Sequence, residues 1–239
     1  MRRASIFLIL ALLAAPAFAG PDDFDIRLGK APPPPAPADP ARVKAVESFL
    51  SARQVGSHEA TKRAPARALF AGKADDATLF GHPGATLAAY DFHDASIEDE
   101  GRSAFSVSVY LLFANRDGVV VESRDETLEF AARAKRGYVC TSIAPTNVIG
   151  WDAGGVAKTA DEIGASDALA RADNVLHAWT TRERGEAAYS LADIWKTEDG
   201  RVLVQCLRFT AQRGRRGFDA QDSTLVLRKG GAGYSVDSN

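Results

Sequence analysis

The sequence predicts an α+β protein of two tandem units, each a helix packed on a four-stranded antiparallel meander. Three observations lead to this prediction. Apolar residues recur at helical spacing after residue 40, they alternate with polar residues from residue 86, and the same order of patterns returns after residue 158. The chain has 239 residues, of which 46% are hydrophobic, so it can bury one large core or two small ones.

The first residues have the pattern of an export signal. Arg2 and Arg3 form a basic start, residues 6–15 are apolar, and Ala17 and Ala19 frame a small-x-small cleavage site before Gly20. We therefore expect residues 1–19 to be a signal peptide and the mature protein to be periplasmic or secreted. The apolar run is shorter than the ~20 residues that a membrane-spanning helix needs, so no membrane span is expected.

Residues 20–39 contain six prolines and few apolar side chains. This composition predicts a disordered leader, with a spacer that displays a proline-rich ligand as the alternative. A helix is predicted next, from about 40 to 54. Asp39 can cap its first amides and the ring of Pro40 is preset for the first turn. Its apolar stripe consists of Val43, Val46, Phe49 and Leu50.

Alternating apolar and polar residues then predict a sheet. In the first unit, residues 40–143, the strands are expected at about 86–97, 103–114, 118–132 and 137–143. In the second, residues 158–239, one helix from Ser166 precedes strands at about 187–197, 201–211, 217–229 and 233–237. Matching landmarks, such as Tyr90 with Tyr189 and Gly137 with Gly233, favour an internal duplication.

Helices followed by such a meander, which closes with Gly137-Tyr138-Val139 or Gly233-Tyr234-Ser235-Val236, resemble the NTF2-like (cystatin-related α+β cone) superfamily. The resemblance covers residues 40–143 and part of 158–239, where one helix stands in place of the usual two or three. It implies an NTF2-like first unit with a pocket between helices and sheet. Because the superfamily includes isomerases, hydrolases, dehydratases and non-catalytic binding modules, the resemblance leaves the activity open.

A catalytic pair is one hypothesis for that pocket. Alternation places Asp91 and His93 on one face of a strand, with Tyr110 on the next strand. A histidine oriented by an aspartate can act as a general base. The alternative is an ordinary exposed strand face.

Four arginines form a second candidate site. They lie around a turn flanked by glycines, and they could hold an anionic ligand or an acidic partner; they are Arg208, Arg213, Arg215 and Arg216. The alternative is a solvated hairpin tip. Phe209 is the one aromatic residue among them, too few for a stacking platform, and the formal net charge is −2, so we expect no nucleic-acid partner.

Cys140 and Cys206 are the only cysteines. They could form a structural disulfide in an oxidising compartment or remain buried thiols, and their spacing is not that of a redox motif. The four histidines are scattered along the chain, so neither a metal site nor a cofactor is expected. Residues 144–157 are predicted to be a packed connector, or a pocket lid, that buries Val148, Ile149 and Trp151.

The leading functional interpretation is an exported non-catalytic binding or accessory module of the bacterial periplasm. Its partner would be a small ligand or another envelope protein, and the oligomeric state is left open. One alternative is a small NTF2-like isomerase or hydrolase that uses His93 and Asp91. Another is an inhibitor or immunity-type factor that presents a sheet edge to a partner protein.

Overall fold

The computed structural model describes residues 39–100, 103–134, 137–151, 154–183, 187–212, 214–231 and 233–237. The predicted signal peptide and the leader up to residue 38 lie outside these ranges. Within the described part, no helix is long and apolar enough to cross a membrane.

The first half of the described chain, residues 39–151, begins with three helices. The carboxylate of Asp39 accepts a hydrogen bond from the Ala41 amide at 2.9 Å, as expected of a helix cap. The helices are α1 (Pro40–His58), α2 (Ala64–Ala68) and α3 (Asp76–Phe80). An antiparallel sheet follows in the order β1-β3-β4-β5, with β2 beside β3. Its strands are β1 (Ala85–Asp91), β2 (Ile97–Asp99), β3 (Ala104–Asn115), β4 (Val120–Arg133) and β5 (Gly137–Gly150).

The second half, residues 154–237, repeats the order of helices and then four antiparallel strands. Its helices are α4 (Gly154–Glu162) and α5 (Ser166–Arg182). Its strands form the meander β6-β7-β8-β9; they are β6 (Ala187–Lys196), β7 (Val202–Ala211), β8 (Phe218–Gly230) and β9 (Gly233–Val236). The α+β class with two antiparallel sheets is therefore confirmed, whereas the expectation of one helix in this half is wrong because α4 precedes α5.

The predicted strand at 86–97 is two strands. β1 ends at Asp91, the side chain of Phe92 is buried in the first core, and a short 3-10 turn at Asp94–Ser96 leads into β2. Burial of Phe92 turns the chain out of the strand, and no local pattern signals such a tertiary effect.

The predicted packed connector at residues 144–157 also differs from the observed structure. β5 continues through Gly150, with Asn147 opposite Asp125 on β4, because β4 is long enough to pair with it. Val148 and Ile149 are 54% and 50% exposed, so they do not pack into a junction. Trp151 does, since its ring meets Phe209 of the second sheet edge-on at 6.0 Å.

The four layers run helix, sheet, sheet, helix. On one face of the first sheet, helix α1 covers a core of aromatic rings in which Phe105 stacks on Phe130 and Phe49 meets Phe130 edge-on. On the other face, residues such as Leu112 pack against Phe209 of the second sheet. The far face of the second sheet is covered by α4 and α5.

The two halves meet through a reciprocal pair of contacts. The amide of Tyr189 donates to the carbonyl of Gly118 at 2.9 Å, and the amide of Gly217 donates to the carbonyl of Tyr90 at 3.0 Å. Tyr189 lies 99 positions after Tyr90, and Gly217 lies 99 positions after Gly118. The hairpin of each half thus contacts the first strand of the other, which is the pattern of a two-fold interface.

Candidate functional site

The structure does not bring all three residues of the proposed catalytic site together, because His93 lies outside the strand that pairs Asp91 with Tyr110. The Asp91 carboxylate accepts a hydrogen bond from the Phe92 amide at 2.8 Å, whereas His93 is exposed beyond the end of β1. Between these two described side chains there is no hydrogen bond. Tyr110 lies opposite Asp91 in the sheet register, and its ring packs on Phe218 at 5.9 Å. The expectation that Asp91 and His93 share a strand face is wrong because β1 has already ended.

The arginine turn contacts the first half of the molecule. Arg216 forms ion pairs with Asp94 and, at 3.8 Å, with Glu47 of α1. Its guanidinium lies over the Phe92 ring at 4.7 Å. These contacts hold the β7–β8 hairpin against the other half, so the guanidinium of Arg216, whose side chain is still 32% exposed, is already paired with two carboxylates.

The other arginines of that candidate site are dispersed. Arg208 lies on β7, where it stacks over Trp179 at 5.5 Å and donates to Ser223 Oγ at 3.1 Å. Arg215 is exposed at the turn, and Arg213 lies outside the described residues. The three described arginines, Arg208, Arg215 and Arg216, therefore do not form one site.

The two cysteines do not pair. Cys140 lies in the aromatic core of the first half and Cys206 beneath α5 in the second, and both are free and buried. Burial raises the pKa of the Cys140 thiol to about 12 and also raises the pKa of Cys206. A packed sheet pair separates them, so the disulfide alternative is wrong for this structure.

The space between α1 and the first sheet contains a buried ion pair. Arg53 and Glu126 are both 0% exposed, and Nη1 of Arg53 lies 2.7 Å from Oε2 of Glu126. Arg53 also donates to the carbonyls of Leu79 at 2.8 Å and Thr78 at 2.9 Å. Each charge is thus paired and hydrogen-bonded, as burial requires. This arrangement holds α3 onto α1 and fills the region where an NTF2-like pocket was expected.

A cleft of about 810 Å³ opens elsewhere, at the junction of the two halves. We call it the junction cleft. The first half contributes the end of α1, the segment from α3 to β1 and the β3–β4 hairpin, and the second half contributes the end of α5 and the start of β6. Its polar lining includes Ser57, His58, Arg63, Asp76, His82, Arg116, His177 and Thr181.

Three of the four histidines of the chain line this cleft. His177 on α5 donates through Nδ1 to the carbonyl of Asp117 at 2.9 Å, so its Nε2 is left for other partners. Nε2 of His58 lies 3.3 Å from the Leu87 carbonyl. His82 is exposed, with Nε2 3.7 Å from the Glu122 carboxylate. Among the described residues, no group of three or more acidic, histidine or cysteine side chains could hold a metal ion.

The hairpin that forms one wall of the cleft is fixed closely to α5. Gly118 has φ of +83°, and a Cβ there would lie 2.9 Å from the side chain of Thr180. Thr180 in turn lies within 3.4 Å of the Asp117 carbonyl. Glycine is therefore required at position 118 both by its backbone conformation and by close packing.

The equivalent junction on the other side of the molecule is closed. There Gln54 of α1 accepts a hydrogen bond from the Gly214 amide at 2.7 Å and donates to the Ala88 carbonyl at 2.7 Å. Arg216 closes the same junction further through its ion pairs with Asp94 and Glu47. A hollow beside Arg216 is lined by second-half residues alone, whereas the junction cleft has walls from both halves.

Sequence reasoning missed the junction cleft. His58, His82 and His177 lie far apart in the sequence, and only the packing of two sheets brings them together. One signal was present: the hairpin glycine Gly118 recurs at the same offset as Tyr90, and both matches fall on the contacts between halves.

No family model matches the sequence, and no curated protein matches it. One solved structure does match, an NTF2-like protein involved in plasmid conjugation, with 10% sequence identity and a TM-score of 0.30. The match covers 82% of this chain and 93% of that one. At this TM-score the similarity carries no conclusion about fold or function, and the NTF2-like character of the first half stays a prediction.

Proposed function

We propose that this chain is an exported, non-catalytic binding module of the bacterial periplasm that holds a small molecule in the junction cleft. One observation carries the proposal: of two equivalent junctions, one is closed by direct contacts and the other is an open cleft with walls from both halves. Its volume is in the range of small-molecule sites in proteins, which is roughly 300–1,000 Å³.

The interior of the first half supports the same assignment. Aromatic rings and the Arg53–Glu126 pair occupy it, so a ligand would have to displace a packed core there. The junction cleft needs no such rearrangement. Export to the periplasm is supported by the pattern of residues 1–19.

The test is native mass spectrometry of the mature protein, isolated gently from its own envelope. We expect a small-molecule adduct at one copy per chain. The variant Thr181→Trp, which fills the cleft from an exposed helix position, should lose it. The control is Ala178→Trp, at an exposed position of the same helix outside the cleft, and it should keep the adduct.

Two results would contradict the proposal. One is an adduct that survives Thr181→Trp as well as it survives Ala178→Trp. The other is a mature protein that carries a second protein chain in place of a small molecule, which would favour the inhibitor or immunity interpretation.

A further inference from the structure

The lining of the junction cleft is basic although the chain as a whole is not. The formal net charge of the chain is −2. The cleft is nevertheless lined by two arginines and three histidines, against one carboxylate, that of Asp76. With the histidines neutral, two arginines against one carboxylate leave a formal charge of 2 − 1 = +1 in the lining, and an excess of one sign of charge attracts ligands of the opposite sign.

The single carboxylate is already shared by two cations. Oδ2 of Asp76 lies 2.8 Å from Nη1 of Arg63, and its Oδ1 pairs with Arg67. Two guanidinium groups on one carboxylate leave a net positive charge at this wall. Arg63 is further fixed by its stacking over Phe80 at 4.8 Å and by a hydrogen bond to the Gly56 carbonyl.

Arg116 lines the cleft from the β3–β4 hairpin. Its guanidinium has no ion-pair partner among the described residues, and it is exposed. Its neighbour in the cleft, His177, keeps Nε2 available because Nδ1 donates to Asp117. The carboxylate nearest to His82, that of Glu122, is itself paired with Arg124. The cleft therefore has unmatched positive charge at Arg116 and at the group formed by Arg63, Asp76 and Arg67.

From this arrangement we infer that the ligand of the junction cleft is a small organic anion, a carboxylate or a phosphate ester, whose charge is bound by the guanidinium groups of Arg116 and Arg63, while Nε2 of His177 accepts a hydrogen bond from a hydroxyl of the same ligand. The inference rests on the proposed function, because it names the ligand class of the same cleft. Arginine is suited to this task since its planar fork binds carboxylate and phosphate oxygens in pairs.

Isothermal titration of the full mature chain with citrate and, separately, with inorganic phosphate tests the inference. We expect at least one of the two anions to bind, with glycerol as a neutral probe that does not. Arg116→Gln should weaken the binding at least tenfold. Arg171→Gln is the matched control, because Arg171 is exposed on α5 outside the cleft, and it should change the dissociation constant less than twofold. The two anions distinguish carboxylate from phosphate recognition.

The outcomes separate this inference from the function on which it rests. If neither anion binds, or if Arg116→Gln and Arg171→Gln weaken binding equally, the anionic ligand class is wrong. The binding function still stands in that case if the native adduct is lost in Thr181→Trp. If anions bind through Arg116 but Thr181→Trp does not reduce their affinity, the charge lies outside the cleft and both ideas fail.

Discussion

At the scale of single residues, the stability of the first half depends most on the Arg53–Glu126 pair. Both side chains are fully buried, and Arg53 uses its remaining donors on the carbonyls of Thr78 and Leu79. Removing one partner of such a pair leaves a charge in a medium of low dielectric constant, which costs far more than the intact pair contributes. The pair thus makes the position of α3 dependent on α1.

We expect Arg53→Met to lower the free energy of unfolding by about 3–5 kcal/mol, measured by urea denaturation. Adding Glu126→Gln should restore part of the loss because it removes a buried carboxylate that keeps only Arg124, at 3.8 Å, as an ion-pair partner. Lys62→Met is the control, since Lys62 pairs with Glu59 at 2.9 Å where both side chains are exposed. It should cost less than about 1 kcal/mol. A similar loss for both single variants would contradict this account of the pair.

The two thiols give a second prediction at this scale. Burial raises the pKa of Cys140 to about 12 from a usual value of 9.0 and raises that of Cys206 as well. Native protein should therefore release no thiol signal with Ellman's reagent at pH 8, and unfolded protein should release two. Because the unfolded thiols ionise first, stability should fall as the pH rises from 9 toward 12. Rapid reaction of the native protein with Ellman's reagent would contradict this prediction, because it would show that the buried thiols become accessible without unfolding.

At the scale of elements, the two hairpins differ in what surrounds their glycines. Gly118 and Gly217 have similar positive φ values, +83° and +91°. A Cβ at Gly118 would meet Thr180 at 2.9 Å, whereas one at Gly217 would have nothing within 4 Å. The β3–β4 hairpin therefore packs directly against α5, whereas the β7–β8 hairpin is held by side-chain contacts such as those of Arg216.

This difference predicts unequal effects of alanine. Both Gly118→Ala and Gly217→Ala should lose roughly 1–2 kcal/mol of unfolding free energy from backbone strain. Gly118→Ala should lose a further ~1–3 kcal/mol because it overpacks against Thr180. Chemical denaturation of the two variants measures the difference directly. Equal losses would mean that the hairpin does not pack against α5 as described.

Elements with strong local patterns could be predicted from the sequence. The strands of the second half agree with the alternation to within about two residues, and Asp39 and Pro40 correctly mark the start of α1. The extension of β5 to Gly150 and the break after Asp91 could not be predicted, because both depend on a neighbour: β4 in one case and the core around Phe92 in the other.

At the scale of the whole molecule, two similar halves contact each other reciprocally, yet only one of the two junctions is open. Gln54 and Arg216 close the first, and the second is the junction cleft. The candidate site is less predictable from the sequence than the fold is, because it is built from elements that lie far apart along the chain. Its residues come from α1, α3, a hairpin and α5, and no local pattern links them.

The most direct measurement is a crystal structure of the mature protein isolated gently from its envelope, with whatever small molecule it retains. The account predicts electron density in the junction cleft, in contact with residues of both halves, among them Arg116 and His177. Density for a bound molecule inside the first half, or on the exposed edge at Val148 and Ile149, with an empty junction cleft, would contradict it.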